Sequence, residues 1–242
     1  TLFRSIKENK KIVVATESEF APFEFKSLVN GKDTLVGADI ELAKAIGKKL
    51  GVKVEFSVMS FDNVLASVQS GKADIAIAGI SVTDERKKVY DFSDSYYTSN
   101  QAIILKKDSK IKKLSQLEGK KVGVQEGTTG DIISSGEKFG EKNKVIVKTD
   151  VKRYKKGVDA VMDLKNGAID AVVIDEKPAQ EFVKNNAKKL KLVVDSAGAE
   201  YYCIAITKGN TAYKEEINKQ IKAIKKDGTY DKLKAKYIDS AN

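Results

Sequence analysis

The chain has 242 residues, with 44 Lys and Arg against 34 Asp and Glu, one cysteine and no histidine. That length holds one large domain or two lobes of roughly 100 to 130 residues each, and no run of about 18 apolar residues is present to span a membrane. The lack of histidine excludes Ser-His-Asp and Cys-His catalysis and histidine metal sites, and one cysteine excludes a disulfide framework.

Thr1 to Lys10 is polar and charged, and no signal peptide is visible. Lys11-Ile12-Val13-Val14-Ala15-Thr16 is a short apolar run suited to a buried parallel strand. Residues 39–50 place Ile40, Ala43, Ile46 and Leu50 on one helical face, and Gly51 stops the helix. Residues 52–58 alternate and are β-branched, which predicts a strand. Asp62 is a candidate cap for a helix carrying Val64, Leu65 and Val68, ending near Gly71. Asp74 to Ala78 predicts a third strand. This β-α-β-α-β order is the half-unit of a doubly wound sheet.

The pattern then returns. Residues 121–125 predict a strand, Gly127-Thr128-Thr129-Gly130 opens a helix, 144–148 predict a strand, 158–166 a helix and 170–174 a strand. Val68-Gln69-Ser70-Gly71-Lys72-Ala73-Asp74 aligns with Leu164-Lys165-Asn166-Gly167-Ala168-Ile169-Asp170 at a constant offset of 96 (164 − 68, 170 − 74). The expected fold is therefore α/β, with two doubly wound lobes joined by two crossing strands that act as a hinge. Residues 1–98 and 203–242 are assigned to lobe 1 and 99–202 to lobe 2. Ile217, Ile221 and Ile224 mark a late helix, and Tyr230, Leu233 and Tyr237 a last short one.

In open α/β sheets ligands lie beyond the carboxyl ends of the strands, so those ends are the candidate site. Arg86 falls three residues after the cap candidate Thr83, where the helix dipole disfavours a cation unless an anion binds beside it. Its guanidinium suits a carboxylate, although a plain surface arginine is the alternative. Asp175 follows the matching strand of lobe 2 at the position equivalent to Gly79. It suits an ammonium group, or caps the next helix. Thr128 and Thr129 offer N–H groups and hydroxyls to an anion. Phe20 and Phe61 are either site walls or core. Cys203, in an apolar strand, is either a small core residue or a reactive thiol. A carboxylate grip, an ammonium partner and aromatic walls together describe an amino-acid site.

With Ala21-Pro22-Phe23-Glu24-Phe25, Gly37-Ala38-Asp39-Ile40, Gly79-Ile80-Ser81-Val82-Thr83-Asp84-Glu85-Arg86, Asp91-Phe92-Ser93, Gly127-Thr128-Thr129 and Asp227-Gly228-Thr229-Tyr230, the chain resembles the polar amino-acid binding proteins of bacterial ABC importers. The likeness runs from about Lys11 to Tyr237 and implies a periplasmic-binding-protein type II fold. It implies that Arg86 holds a ligand carboxylate with the N–H groups of Ser81 and Thr129. Asp175 would hold the ammonium with the Gly79 carbonyl and the Ser81 hydroxyl. Phe20 and Phe61 would sandwich the ligand side chain, Glu17 and Gln125 would meet its far end, and Ala78 and Thr128 would lie close by.

Glu17 tilts the expected ligand toward a free basic L-amino acid, arginine first and then lysine, with glutamine the rival. The expected protein is a monomeric receptor that serves an ABC permease, with no cofactor, no metal and no catalysis. A dehydratase or transglycosylase-like enzyme on the same fold, with Glu17 as its acid, is the competing class, and a sensor or adhesin on this fold differs only in its partner. The net charge of +10 comes from dispersed lysines without an aromatic-interleaved stripe, so no nucleic-acid partner is expected. The expected location is extracytoplasmic, as a lipoprotein on a Gram-positive membrane or free in a periplasm.

Overall fold

The computed structural model describes residues 2–140, 144–195 and 197–241. The chain divides into two compact units, Thr1–Tyr97 with Tyr201–Asn242, and Thr98–Glu200. The chain thus passes from one unit to the other twice, and each unit has its own sheet.

In unit 1 the strand Lys11–Thr16 is flanked in parallel by Lys53–Val58 and Ile75–Ala76. Ala205–Thr207 and then Tyr90–Phe92 extend the sheet antiparallel, giving five strands. The central strand is buried along most of its length, which is why it reads as a continuous apolar run rather than an alternation. The helix Ala38–Leu50 buries Ile40, Leu42, Ala43 and Ile46 and ends on Gly51 in the left-handed conformation, φ 70°.

Unit 2 repeats the order. Lys121–Gln125 lies between Asp150–Tyr154 and Ala171–Asp175 in parallel, with Gln101–Lys106 and Leu190–Val194 antiparallel beyond. The helix Gly157–Asn166 ends on Gly167, also left-handed. Ile103, Leu105, Val122, Val124, Ala171 and Val173 form the centre of its core.

Several expectations change. The second parallel strand of unit 2 is Asp150–Tyr154, not 144–148; Lys144–Val145 instead pairs antiparallel with Lys138–Phe139. The apolar run Val145-Ile146-Val147 imitates a strand, yet a shift of 96 applied to Lys53–Val58 gives 149–154 and points to the right segment. Ser60, not Asp62, occupies the cap position of the helix Phe61–Gln69. Gly228 does not close the late helix Thr211–Lys226, which Asp227 ends; it opens Thr229–Tyr237.

Several elements were not anticipated, a helix and a meander among them. Leu2–Asn9 is helical, with Ile6 buried. Glu19–Phe20, Glu24–Val29 and Lys32–Val36 form a three-stranded meander. Its tight turn is Asn30-Gly31, both at positive φ (50° and 74°), the usual chemistry of a two-residue hairpin. Cys203 is a core residue: it is buried, and burial pushes its thiol up to about 12.

Candidate functional site

The expected site residues fall into two groups, one at the strand ends of each unit. Unit 1 carries Glu17, Phe20, Phe61, Ala78, Gly79, Ser81 and Arg86. All seven are buried.

Arg86 is the third residue of the helix Asp84–Val89, and the Thr83 hydroxyl caps that helix by accepting from the Arg86 N–H at 3.1 Å. The helix has only six residues, so its first and last turns overlap and the dipole argument against an arginine there weakens. The side chain is nevertheless 91% withdrawn from solvent, at 9% exposure. Its Nη1 donates to the Ser81 carbonyl at 2.6 Å, and its guanidinium carbon lies 5.7 Å from the centre of the Phe61 ring. This contact holds a charged fork against an apolar face at modest cost.

Phe61 also packs with Ala15, Val64, Val68, Ala78 and Ile80, so it serves the core as well as Arg86. Phe20 lies against Gly79. A methyl group on Gly79 would come within 2.9 Å of the Phe20 ring and 3.3 Å of the Tyr202 ring, so glycine is what lets these aromatics reach the strand end. Ser81 bridges to Tyr202 in the backbone.

Beneath this strand end lies a residue to which the sequence attached no role. Asp39 is fully buried, and its Oδ2 accepts from the Gly79 N–H at 2.8 Å and from the Tyr96 hydroxyl at 2.7 Å. Desolvation raises its pKa to about 6, against the lowering pull of those donors and of a hydrogen bond with the Glu24 side chain. Its place in Gly37-Ala38-Asp39-Ile40, an acid on the buried face of an apolar helix, is the signal that marks it.

Unit 2 carries Gln125, Thr128, Thr129 and Asp175. Thr128 caps the helix Thr129–Ser134; its hydroxyl donates to the Gln125 carbonyl at 2.8 Å and accepts from the Asp131 N–H at 3.4 Å. Gln125 ends its strand, and its amide approaches the Lys155 carbonyl at 3.5 Å, a marginal bond. Asp175 is the last residue of its strand rather than the one after it. It occupies the cap position of the helix Glu176–Lys184, but its side chain makes no capping bond. Its Oδ1 instead accepts from the Gln101 amide at 2.8 Å. Gln101 and Glu200, unflagged by the sequence, complete this buried group.

Among the described residues no group of three His, Cys, Asp or Glu side chains is placed to hold a metal ion. No helix among them is long and apolar enough to cross a membrane.

Two α/β units with the same strand order, joined by two chain crossings and carrying paired polar residues at their strand ends, define a type II periplasmic-binding-protein fold. The chain belongs to family 3 of the bacterial extracellular solute-binding proteins, whose profile matches residues 12–240. The crystal structure of an amino acid ABC transporter substrate-binding protein from Streptococcus pneumoniae bound to L-arginine superposes with a TM-score of 0.87. It is 41% identical, over 98% of this chain and 97% of that one. An ancestral arginine-binding protein, solved with arginine and with glutamine, is 47% identical over 95% of this chain and 98% of that one, with a TM-score of 0.82. The arginine-binding extracellular protein ArtP of Bacillus subtilis (strain 168) is 34% identical over 95% of this chain and 86% of its own length.

Proposed function

We propose that this protein captures one free L-amino acid outside the cytoplasm, arginine in preference to lysine, and delivers it as a monomer to an ABC permease. The observation that carries the reading is Arg86: a guanidinium withdrawn from water, laid on Phe61 and bonded to a neutral carbonyl. Such a fork is pre-organised for a carboxylate. In this reading Arg86, with the N–H groups of Ser81 and Thr129, holds the ligand carboxylate. Asp175, with Gly79 and Ser81, holds its ammonium. Phe20 and Phe61 flank the side chain, with Ala78 and Thr128 nearby, and Glu17 and Gln125 meet its far end. No bond is made or broken, and binding shifts an existing conformational equilibrium.

Support for a basic ligand comes from Glu17, a carboxylate at 4% exposure directly after the strand Lys11–Thr16. A carboxylate at a strand end would present negative charge to the cationic side chain of a basic ligand. The arginine named for the similar proteins agrees. Glutamine is the second reading, favoured by Gln125 and by the glutamine complex of the ancestral protein.

Calorimetry with arginine, lysine and glutamine tests the order. Glu17→Gln is expected to weaken arginine by roughly a hundredfold and glutamine by less than tenfold. Equal losses for both ligands would remove the basic preference.

A further inference from the structure

Lysines that are dispersed in sequence converge at one end of unit 2. Lys106 closes the strand Gln101–Lys106, Lys165 lies in the last turn of the helix Gly157–Asn166, and Lys189 leads into the strand Leu190–Val194. Pairing brings them together: Lys106 stands opposite Leu190, and the Lys107 N–H donates to the Lys189 carbonyl at 2.9 Å. Lys106, Lys107, Lys165 and Lys189, with Asp108 and Leu190, line a cavity of about 290 Å³. That is the lower end of the volumes that hold small molecules, so it admits a small anion or a headgroup. Lys106 is half-buried, and the other three lysines are exposed.

These charges are not matched within the chain. Among the described residues none of the four lysines forms an ion pair, and their one side-chain hydrogen bond runs from Lys107 Nζ to the Ala187 carbonyl at 3.3 Å. Asp108 is the single acid on the wall and pairs with none of them. Lysines elsewhere do find acids, as Lys49 finds Asp227 at 2.7 Å and Lys11 finds Glu55 at 3.1 Å. A helix end accounts for part of the cluster. The carbonyl end of Gly157–Asn166 favours Lys165, and it favours Lys106, whose Nζ would lie 3.0 Å from a methyl group on Gly167. Lys107 and Lys189 lie outside that helix.

Four like charges around one cavity draw an anion to it. The residue type narrows the class. An arginine fork suits a planar carboxylate, whereas compact ammonium groups act as point charges and suit phosphate, whose charge is spread over several oxygens. We propose that this cavity is a phosphate-binding site, taking the phosphate group of a free anion or of a lipid headgroup. Gln101, opposite Asp175, stands at the other end of the same strand as Lys106, about 17 Å away. The site is therefore separate from the residues assigned to the amino acid, and it holds whichever amino acid that is.

Calorimetry with inorganic phosphate and pyrophosphate at fixed ionic strength probes the free anion. Sedimentation with vesicles of phosphatidylglycerol, against phosphatidylcholine, probes the headgroup. Wild type is expected to bind at least one of these anionic probes. Lys165→Gln with Lys189→Gln is expected to weaken that binding about tenfold, and Lys106→Gln alone about threefold. Lys72→Gln with Lys219→Gln makes the same change of net charge at exposed positions of unit 1, and is expected to leave binding within about twofold. The probe whose binding the cavity pair loses names the source of the phosphate. No binding of any anionic probe by wild type overturns the proposal. So does an equal loss in the unit 1 pair, which marks diffuse attraction to a basic protein. Thermal melting checks that each variant folds; were the cavity pair to unfold, Lys106→Gln decides in its place, and unchanged binding there overturns the site.

Discussion

Asp39 shows how one side chain ties the core of unit 1 to its strand end. The carboxylate accepts from the Gly79 N–H and the Tyr96 hydroxyl, while Tyr96 in turn accepts from the Tyr230 hydroxyl through its carbonyl. Burial raises the Asp39 pKa to about 6 from an ordinary 3.8. Between those values the folded state holds a proton that the unfolded chain has released. Its contribution is therefore full below pH 3.8 and is lost as pH rises through 6, a change of about 3 kcal/mol. Asp39→Asn keeps an acceptor for Gly79 and Tyr96 but does not titrate. Its urea midpoint is expected to decline less than that of the parent between pH 4 and 6.5. Parallel declines would show that Asp39 is not the titrating group. The sequence placed this residue on a helix but gave it no role, because helical periodicity does not report what a buried acid meets.

At the scale of elements, the helix Ala38–Leu50 begins where Gly37 passes under the meander. Gly37 has φ 130°, and a methyl group there would lie 2.1 Å from the Phe23 carbonyl oxygen. The Asp39 N–H donates to that same oxygen at 2.9 Å, so the approach is what starts the helix and aims Asp39 inward. Gly37→Ala is expected to cost about 3 kcal/mol, through both the backbone angle and the clash. The drop should appear as a lower urea midpoint at unchanged slope; a loss under about 1 kcal/mol would mean that the meander shifts freely. Elements with strong periodicity were legible here, as with the helices over 38–50, 157–166 and 211–226. The 144–148 error arose because a β-branched apolar run fits an edge hairpin as well as a parallel strand, and only pairing separates the two. The meander was missed although Asn30-Gly31 announced its turn.

For the whole molecule, the offset of 96 holds for the second strand, second helix and third strand of each unit, near 53, 61 and 75 in unit 1 and 150, 157 and 171 in unit 2. It fails for the first strands, Lys11–Thr16 and Lys121–Gln125, and for the helices that follow them, 13 residues long in one unit and 6 in the other. The units thus share a frame and differ in the segment between their first two strands. A ligand that binds only the folded chain stabilises it by about 2.7 kcal/mol at a hundredfold excess over Kd. Arginine at that excess is expected to raise the melting midpoint by about 5–10 °C, and a screen of the 20 amino acids at one equal concentration should place arginine first. A flat screen would refute amino-acid capture.

The α/β class, the doubled half-unit and the charged, polar and aromatic residues at the strand ends were legible in the chain alone, because periodicity, turn chemistry and the place of each residue after a strand are local features. What lies behind those residues is set by the folded chain. Gln101 meets Asp175 and Glu200 across 74 and 99 residues of chain, and Asp39 meets Gly79 across 40. Such partners are selected by strand pairing and burial, where a polar group without a bond is costly, and no local pattern records which distant side chain supplies it.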